Sequence, residues 1–549
     1  MNILKYKSIV FSISLLVMVF SCKDLEELNE NPNGVSPETA NPNLVISTVL
    51  TESAKLTTSL GFGDIAGVMQ HTQKDAWFSG HNNYDWADQS WTSYYGILRN
   101  NKFVQDKAIE LDLEFHQGVT KVINAYVFGL IADIWGDAPY TNALKGDQGG
   151  VENIQPAFDN QGDIYKGILA ELEEANTLLS KNKNEYTDIY ESADVIYGGD
   201  PAKWRKFANS LALRYYMRIS EKEPALAKSG IEKIAGNASQ YPIITSSDDD
   251  VTMDYVGNGD SDSWPGNTVY DGTNGSNYRR VKMCATLVNS MQILDDPRLA
   301  LWAAKVEIPI VVDASFESGR DEIVDGVRYL NPDAVPIGMQ YDEDPDYVGI
   351  PASWSSIPSA FNINPTPGQL SYNPHVSYLN SMYTEASGGL LKARLLSAAE
   401  VHFILAEASA TGVASAGDAK THYEAGVKAS LEAWEVSDQY DSYIGGEGVA
   451  YDGTQKQIME QKWIASWTSA AESWFDFRRT GLPALTAGPS AKRQALPVRF
   501  YYMTNELALN EANASSAMSK LETTQYTQAD GENSAWSKPW VSQGTGKPW

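Results

Sequence analysis

Between positions 75 and 88 the chain reads DAWFSGHNNYDWAD, which sets Trp77, Tyr84 and Trp86 among Asp75, Asn82, Asn83 and Asp85. Indole and phenol rings are flat, apolar on their faces and polar at one edge. Short carboxylates and amides offer paired acceptors and donors. A sugar needs this combination: its C–H faces stack on rings while neighbouring hydroxyls take two hydrogen bonds from one Asp, Asn or Arg. Two further stretches repeat the composition. Trp264, Tyr270 and Tyr278 stand with Asn274 and Arg279, and Trp354 lies in PASWSS. The chemistry expected of all three is capture without bond breaking.

Reactive arrangements do not emerge beside them. Glycoside hydrolysis needs two carboxylates set across a cleft, and the 70 Asp and Glu residues single out no pair. No GxSxG or HExxH motif occurs, and GFGDIAG at 61–67 misses the dinucleotide glycine pattern and has no strand before it. The six histidines are scattered. The acidic runs at 248–250 and 342–344 lack the spacing of a known calcium loop, so no cofactor is expected and calcium is left open. With 42 Lys and Arg the net charge is −28, which disfavours a nucleic acid as partner.

The N-terminus carries Lys5 and Lys7, an apolar run over 9–20 and then Ser21-Cys22. This reads as a signal peptide over 1–21 that is cut before a cysteine; Val19-Phe20-Ser21-Cys22 resembles the lipobox of bacterial lipoproteins, which implies lipidation of Cys22. The polar, Asn- and Pro-rich stretch 22–43 reads as a flexible tether. Only Cys22 and Cys284 are present, so no disulfide is expected and Cys284 reads as a small buried hydrophobe.

Helices must hold these stretches in place. Val119, Val122, Ile123, Tyr126, Val127, Leu130, Ile131, Ile134 and Trp135 recur with the period of one helix face. Ala125, Gly129 and Ala132 on another side permit a second close neighbour, and Gly136 and Pro139 end the helix. Similar periodicity predicts helices over 44–60, from 89 onward, over 163–180, from Pro201 behind an Asp200 cap, over 225–235, 390–410 and 418–434, and over 455–479. Trp463, Trp467 and Trp474 form a core stripe along the last of these. Residues 79–85 read as loop, as does most of 241–389, where Gly, Asn, Asp, Ser and Pro dominate and a short strand at 308–312 is allowed. The fold expected is mainly α, with helical pairs in 44–240 and 390–549 and a loop-rich insertion at 241–389 contributing the ligand face.

The pieces together resemble the SusD/RagB-like outer-membrane lipoproteins. The matching segments are the cysteine with NENPNG after it, SWTSYYGILRNN (90–101), IADIWGDAPYTNAL (131–144), WRKFANSLALRYYMRIS (204–220), SAAEVHFILAEASATG (397–412), SWFDFRRTGLPAL (473–485) and LPVRFYYMTNELALN (496–510). Met503 departs from the proline more common there. The resemblance implies four tetratricopeptide-like helical pairs, a loop-built face for a nutrient glycan, and a SusC-like TonB-dependent transporter as partner. It also implies attachment to the outer membrane through the N-terminal lipid, facing outward. It makes Trp91, Tyr95, Asn101, Trp135, Glu400 and Trp474 structural. Peptide capture and a scaffold that binds only the transporter remain as alternatives.

Overall fold

A computed structural model describes residues 40–75, 79–271, 276–367 and 371–549. The signal peptide, Cys22 and most of the tether lie outside the described residues, as does Trp77.

The N-terminal helices are α1 (Pro42–Gly61), α2 (Thr92–Glu110), α3 (Glu114–Trp135), α4 (Gln161–Leu178), α5 (Pro201–Arg218) and α6 (Pro224–Ala235). Each packs on the next in chain order. The side chain of Asp200 accepts from the backbone N–H groups of Ala202 and Lys203, and Pro201 occupies the first turn, where no N–H is needed. Burial runs around almost the whole of α3. One side takes α2 and another takes α4 and α5. The reason is visible at Gly129: a methyl group there would stand 1.9 Å from the Tyr215 hydroxyl, and that hydroxyl donates to the Ala125 carbonyl at 3.1 Å. The small residues of α3 are a seat for Tyr215. Gly136, at φ +96°, then ends the helix.

The C-terminal part begins with the hairpin α7 (Ala398–Ala410) and α8 (Ala419–Ala433), capped by Ser397 and Asp418. The predicted helix from 390 instead starts with a strand, Lys392–Leu396, paired antiparallel with Val251–Asp254. The expected helix over 455–479 is two helices, α9 (Gln455–Ala465) and α10 (Ala470–Thr480), broken around Thr468 at φ +69°. Trp463, Trp467 and Trp474 are nevertheless all buried. Helix α7 packs on α5, α8 and α9, which joins the two helical parts into one core.

Strands are few and short. Thr72–Lys74 pairs with Val281–Met283, and Ile310–Val312, Asp321–Val324 and Val327–Leu330 form a small mixed sheet with its own apolar centre of Ile310, Leu330 and Ile363. The protein is therefore mainly α, with helical pairs carrying a loop-rich face.

Candidate ligand face

Stretches 70–75, 79–85, 276–283, 351–367, 371–379 and 486–494 meet on one side of the scaffold. Direct hydrogen bonds, two of them between backbones and two involving glutamine side chains, stitch them together. The Ser353 N–H donates to Gln73 Oε1 at 3.1 Å, Gln70 Nε2 to the Thr486 carbonyl at 2.7 Å, Lys492 N–H to the Asn83 carbonyl at 2.8 Å, and Ser490 N–H to the Ser353 carbonyl at 2.8 Å. Gly488 lacks a Cβ that would sit 1.9 Å from the Ala352 carbonyl oxygen, so this close approach requires glycine.

Of the rings in the first expected site, Tyr84 and Trp86 are buried, while Trp77 lies outside the described residues. Tyr84 is fully buried at φ +62°. The Trp86 ring meets Trp474 and Phe500 edge-on at 5.7 and 4.9 Å. Trp264, taken from the second stretch, is also core, packed against Phe62, Tyr255 and Tyr383 at 5.4 to 5.7 Å. These three rings have no face left for a ligand. The physical reason is size: burying an aromatic side chain is worth more than exposing it, and short-range composition does not tell a ring that turns inward from one that stays out.

The polar residues of 75–85 are likewise consumed by the fold. Asn82 Oδ1 accepts from the Lys74 N–H and its Nδ2 donates to the Lys74 carbonyl, both at 2.7 Å, so the amide behaves as a neighbouring strand residue. Asn83 closes a turn by accepting from the Asp85 N–H at 3.0 Å. Asp75 is fully buried 3.7 Å from Lys282 Nζ. Asp85 alone of this set is exposed, paired with Lys492 at 2.9 Å.

What remains at the surface comes from the second and third stretches and from 371–378. Trp354 is half-buried, its ring edge-on to Phe361 at 5.5 Å. Tyr278 is half-buried; its hydroxyl donates to the Leu379 carbonyl at 2.6 Å, and its ring lies 6.4 Å from that of Tyr378. Tyr372 is 39% exposed and donates to Glu307 at 2.9 Å. Tyr270 is 38% exposed and donates to the Gly257 carbonyl at 3.2 Å. Arg279 is half-buried beside Tyr278. Tyr372 and Tyr378, not among the candidate residues read from the sequence, were legible only as tyrosines in an Asn- and Pro-rich loop.

Lys282 lies beneath this shelf. Its ammonium stands 3.8 Å from the centre of the Tyr378 ring and donates to the carbonyls of Arg279 and of Ser371, the latter at 3.2 Å. Burial pulls its pKa down to about 7, against the opposing pull of Asp75. A buried lysine tied to four partners fixes Tyr378 and the 371 turn relative to the Val281–Met283 strand.

The loop above it is held in backbone conformations that side chains seldom adopt. Ser353, Asn362, Ile363 and Ser371 all have φ between +45° and +57°, and for a β-branched residue such as Ile363 this is a true outlier. Asparagine amides pin the loop there. Asn362 Nδ2 donates to the His375 carbonyl at 2.6 Å, Asn364 Nδ2 to those of Ser359 and Tyr372 at 2.7 and 2.9 Å, and Asn373 Nδ2 to that of Phe361 at 2.9 Å. The face is preorganised, with Trp354 and Tyr372 presented by an over-determined backbone. Cys284, just below, is buried and its thiol is pushed up to about 11, so it is inert.

These features define a class: a helical-pair scaffold that carries a rigid face built from loops. Solved structures share the fold. A chitin-binding protein superposes with a TM-score of 0.69 at 22% identity, over 92% of this chain and all of that one. A SusD homolog from Bacteroides fragilis NCTC 9343 gives 0.66 at 21%, over 92% and 99%. A SusD-like protein from Bacteroides thetaiotaomicron VPI-5482 gives 0.65 at 21%, over 90% and 98%. A comparison with curated proteins gives no match. The chain belongs to the SusD-like family described as starch-binding and associating with the outer membrane, which matches residues 32–311 and 338–503. The unmatched 312–337 contains the hairpin of Asp321–Val324 and Val327–Leu330.

Proposed function

We propose that this protein binds an oligosaccharide at the cell surface, on the face carrying Trp354, Tyr278, Tyr372 and Arg279, and delivers it to a TonB-dependent transporter without altering it. Lipidation at Cys22 would anchor it to the outer membrane, facing outward. Membership of a starch-binding family supports the ligand class. The observation that carries the site is the set of solvent-reachable rings fixed on a strained, amide-pinned loop, since stacking on a sugar rewards rings that lose no freedom on binding.

The experiment is retention on immobilised α-glucan and chitin oligosaccharides, followed by calorimetry on the glycan retained, with a peptide library in parallel. The double variant Trp354→Ala/Tyr372→Ala is expected to lose about tenfold or more in affinity, on the scale of one or two lost stacking contacts, with an unchanged helical circular-dichroism spectrum. A Trp77→Ala variant reads the remaining ring of the first stretch separately. Retention of peptides and no glycan would overturn the reading.

A further inference from the structure

The hairpin of Asp321–Val324 and Val327–Leu330 reaches the ligand face through one side chain. Arg328 is buried, and its guanidinium is divided between the hairpin and the loop that carries the rings. Nε and Nη2 donate to the two carboxylate oxygens of Asp321 at 2.7 and 2.8 Å. Nη1 donates to the Ile363 carbonyl at 2.6 Å and to His375 Nε2 at 3.2 Å. Ile363 is the β-branched residue held at φ +57°. His375 lies further along the same loop, where its own carbonyl accepts from Asn362 Nδ2 at 2.6 Å. The rings of the face stand a few positions away: Phe361, against which Trp354 packs at 5.5 Å, and Tyr372, whose carbonyl accepts from Asn364 Nδ2 at 2.9 Å.

These contacts fix the tautomer of His375. A guanidinium has only donors, so Nε2 accepts and carries no proton. On the other side of the ring Nδ1 stands 2.6 Å from the Ile308 carbonyl, which only accepts, so Nδ1 carries the proton. Both contacts therefore require the neutral ring. A second proton would have to enter between Nε2 and Nη1, ending that hydrogen bond and setting two positive groups 3.2 Å apart.

We propose that Arg328 is a positioning residue for the ligand face, holding Ile363 and His375 in the places that present Trp354 and Tyr372, and that protonation of His375 releases this hold. The proposal rests on the ligand face proposed above. Asp321 and Arg328 both lie in 312–337, which the family match leaves out, so the brace is supplied from outside the matched segments. The charged groups around the His375 ring are Arg328 and Asp321 on the hairpin and Glu307 ahead of the Ile310–Val312 strand. Burial, with Arg328 adding to it, keeps the ring below the ordinary histidine value, against the pull of the Ile308 bond, Asp321 and Glu307. The brace is intact at neutral pH and is lost in acid.

The test uses the full mature chain and two readouts. Calorimetry measures binding of an α-glucan oligosaccharide and of a chitin oligosaccharide from about pH 7 to about pH 5, the range in which histidine changes charge. Amide hydrogen exchange over 359–367 and 371–377, corrected for its intrinsic pH dependence, is followed without ligand over the same range. The unaltered chain is expected to lose about tenfold in affinity toward the acid end, the scale of one hydrogen bond to a charged group, with faster exchange in both segments. Arg328→Ala should show that loss and that faster exchange already at neutral pH. Arg328→Lys keeps the charge without the fork and should recover only part of the affinity. His375→Gln cannot titrate, and its affinity should change by less than about twofold across the range. Affinity and exchange unmoved by Arg328→Ala, or an acid loss that persists in His375→Gln, overturn the proposal. If neither oligosaccharide binds at any pH, the proposed function fails and exchange alone decides the brace; if Arg328→Ala folds poorly, the pH profile of His375→Gln decides it.

Discussion

Glu400 receives both branches of the Arg214 guanidinium, Oε1 from Nε and Oε2 from Nη2, each at 2.7 Å, and so ties α7 to α5 across 186 positions of sequence. The pair opens a buried network. Arg214 also reaches Glu472 at 3.3 Å, and Glu472 takes Arg218 at 2.5 Å. Arg218 then meets Asp133 of α3 at 3.1 Å. Further along α10, Asp476 takes Lys462 at 2.6 Å and Arg479 at 3.1 Å, and Arg479 forks onto Glu407 at 2.6 and 2.7 Å. Arginine suits such sites because its planar fork matches a carboxylate in two bonds at once. Helices α3, α5, α7, α9 and α10 thus share charges as well as apolar contacts.

The network predicts an asymmetry between single and paired replacements. Arg479→Met leaves Glu407 as an uncompensated buried charge and is expected to cost about 3–5 kcal/mol in urea unfolding. Arg479→Met with Glu407→Met should recover most of that loss, because two desolvated charges are replaced by apolar volume. Additive losses in the double variant would refute this account of the pair.

The aromatic residues should divide into two groups by the kind of damage they cause. Trp86→Ala and Trp264→Ala empty space in the core and are expected to cost about 3–5 kcal/mol of stability each. Trp354→Ala, half-exposed with one principal ring neighbour, should cost clearly less and act mainly on ligand affinity. Thermal melts beside binding isotherms separate the groups; a stability loss at Trp354 as large as at Trp264 would make it a core ring too.

The helices were legible because their signals are local. Period, an Asp200 cap ahead of Pro201 and the terminal Gly136 all act within a turn or two. The structural readings of Trp135, Asn101 and Trp474 agree with what they touch: Trp135 Nε1 donates to the Tyr501 carbonyl at 3.0 Å, Asn101 Nδ2 to that of Thr120 at 2.8 Å, and Trp474 Nε1 to that of Pro497 at 2.8 Å. Exposure was legible only in part. Loop composition singled out Trp354, Tyr278, Tyr270 and Arg279, which the structure leaves partly exposed, but that Trp86 turns inward depends on Trp474 and Phe500, some 400 positions away, and no local pattern carries that. The same holds for the break at Thr468, where the helical period continues across a backbone that has left the helix.

Gly129 offers a test of the α3–α5 crossing. Gly129→Ala is favourable in helix propensity by about 1 kcal/mol, yet its methyl group would collide with the Tyr215 ring, whose Cζ lies 2.3 Å from that position. The clash should win, giving a net loss of about 1–3 kcal/mol. Adding Tyr215→Leu to Gly129→Ala should restore part of it, since the shorter side chain vacates the seat. A stabilised Gly129→Ala single variant would mean that the two helices separate more easily than their packing indicates.

Acid sensitivity should trace in part to His71. Its ring is fully buried, Nε2 donates to the Trp463 carbonyl at 3.1 Å, and Nδ1 has no partner to receive a second proton. Burial therefore drives its pKa from the ordinary value near 6.5 down to about 3. Between those two pH values the unfolded chain binds a proton at this position that the folded chain refuses. Stability from this group is complete above about pH 6.5 and is lost as pH falls toward 3, with a slope of up to about 1.4 kcal/mol per pH unit. His71→Phe cannot titrate. It gives up the bond to Trp463 and starts less stable, but its unfolding free energy should fall less steeply from pH 6 to pH 4, by up to that slope. Urea unfolding of both chains across this range measures the difference, and parallel curves would show that His71 takes up its proton in the folded state after all.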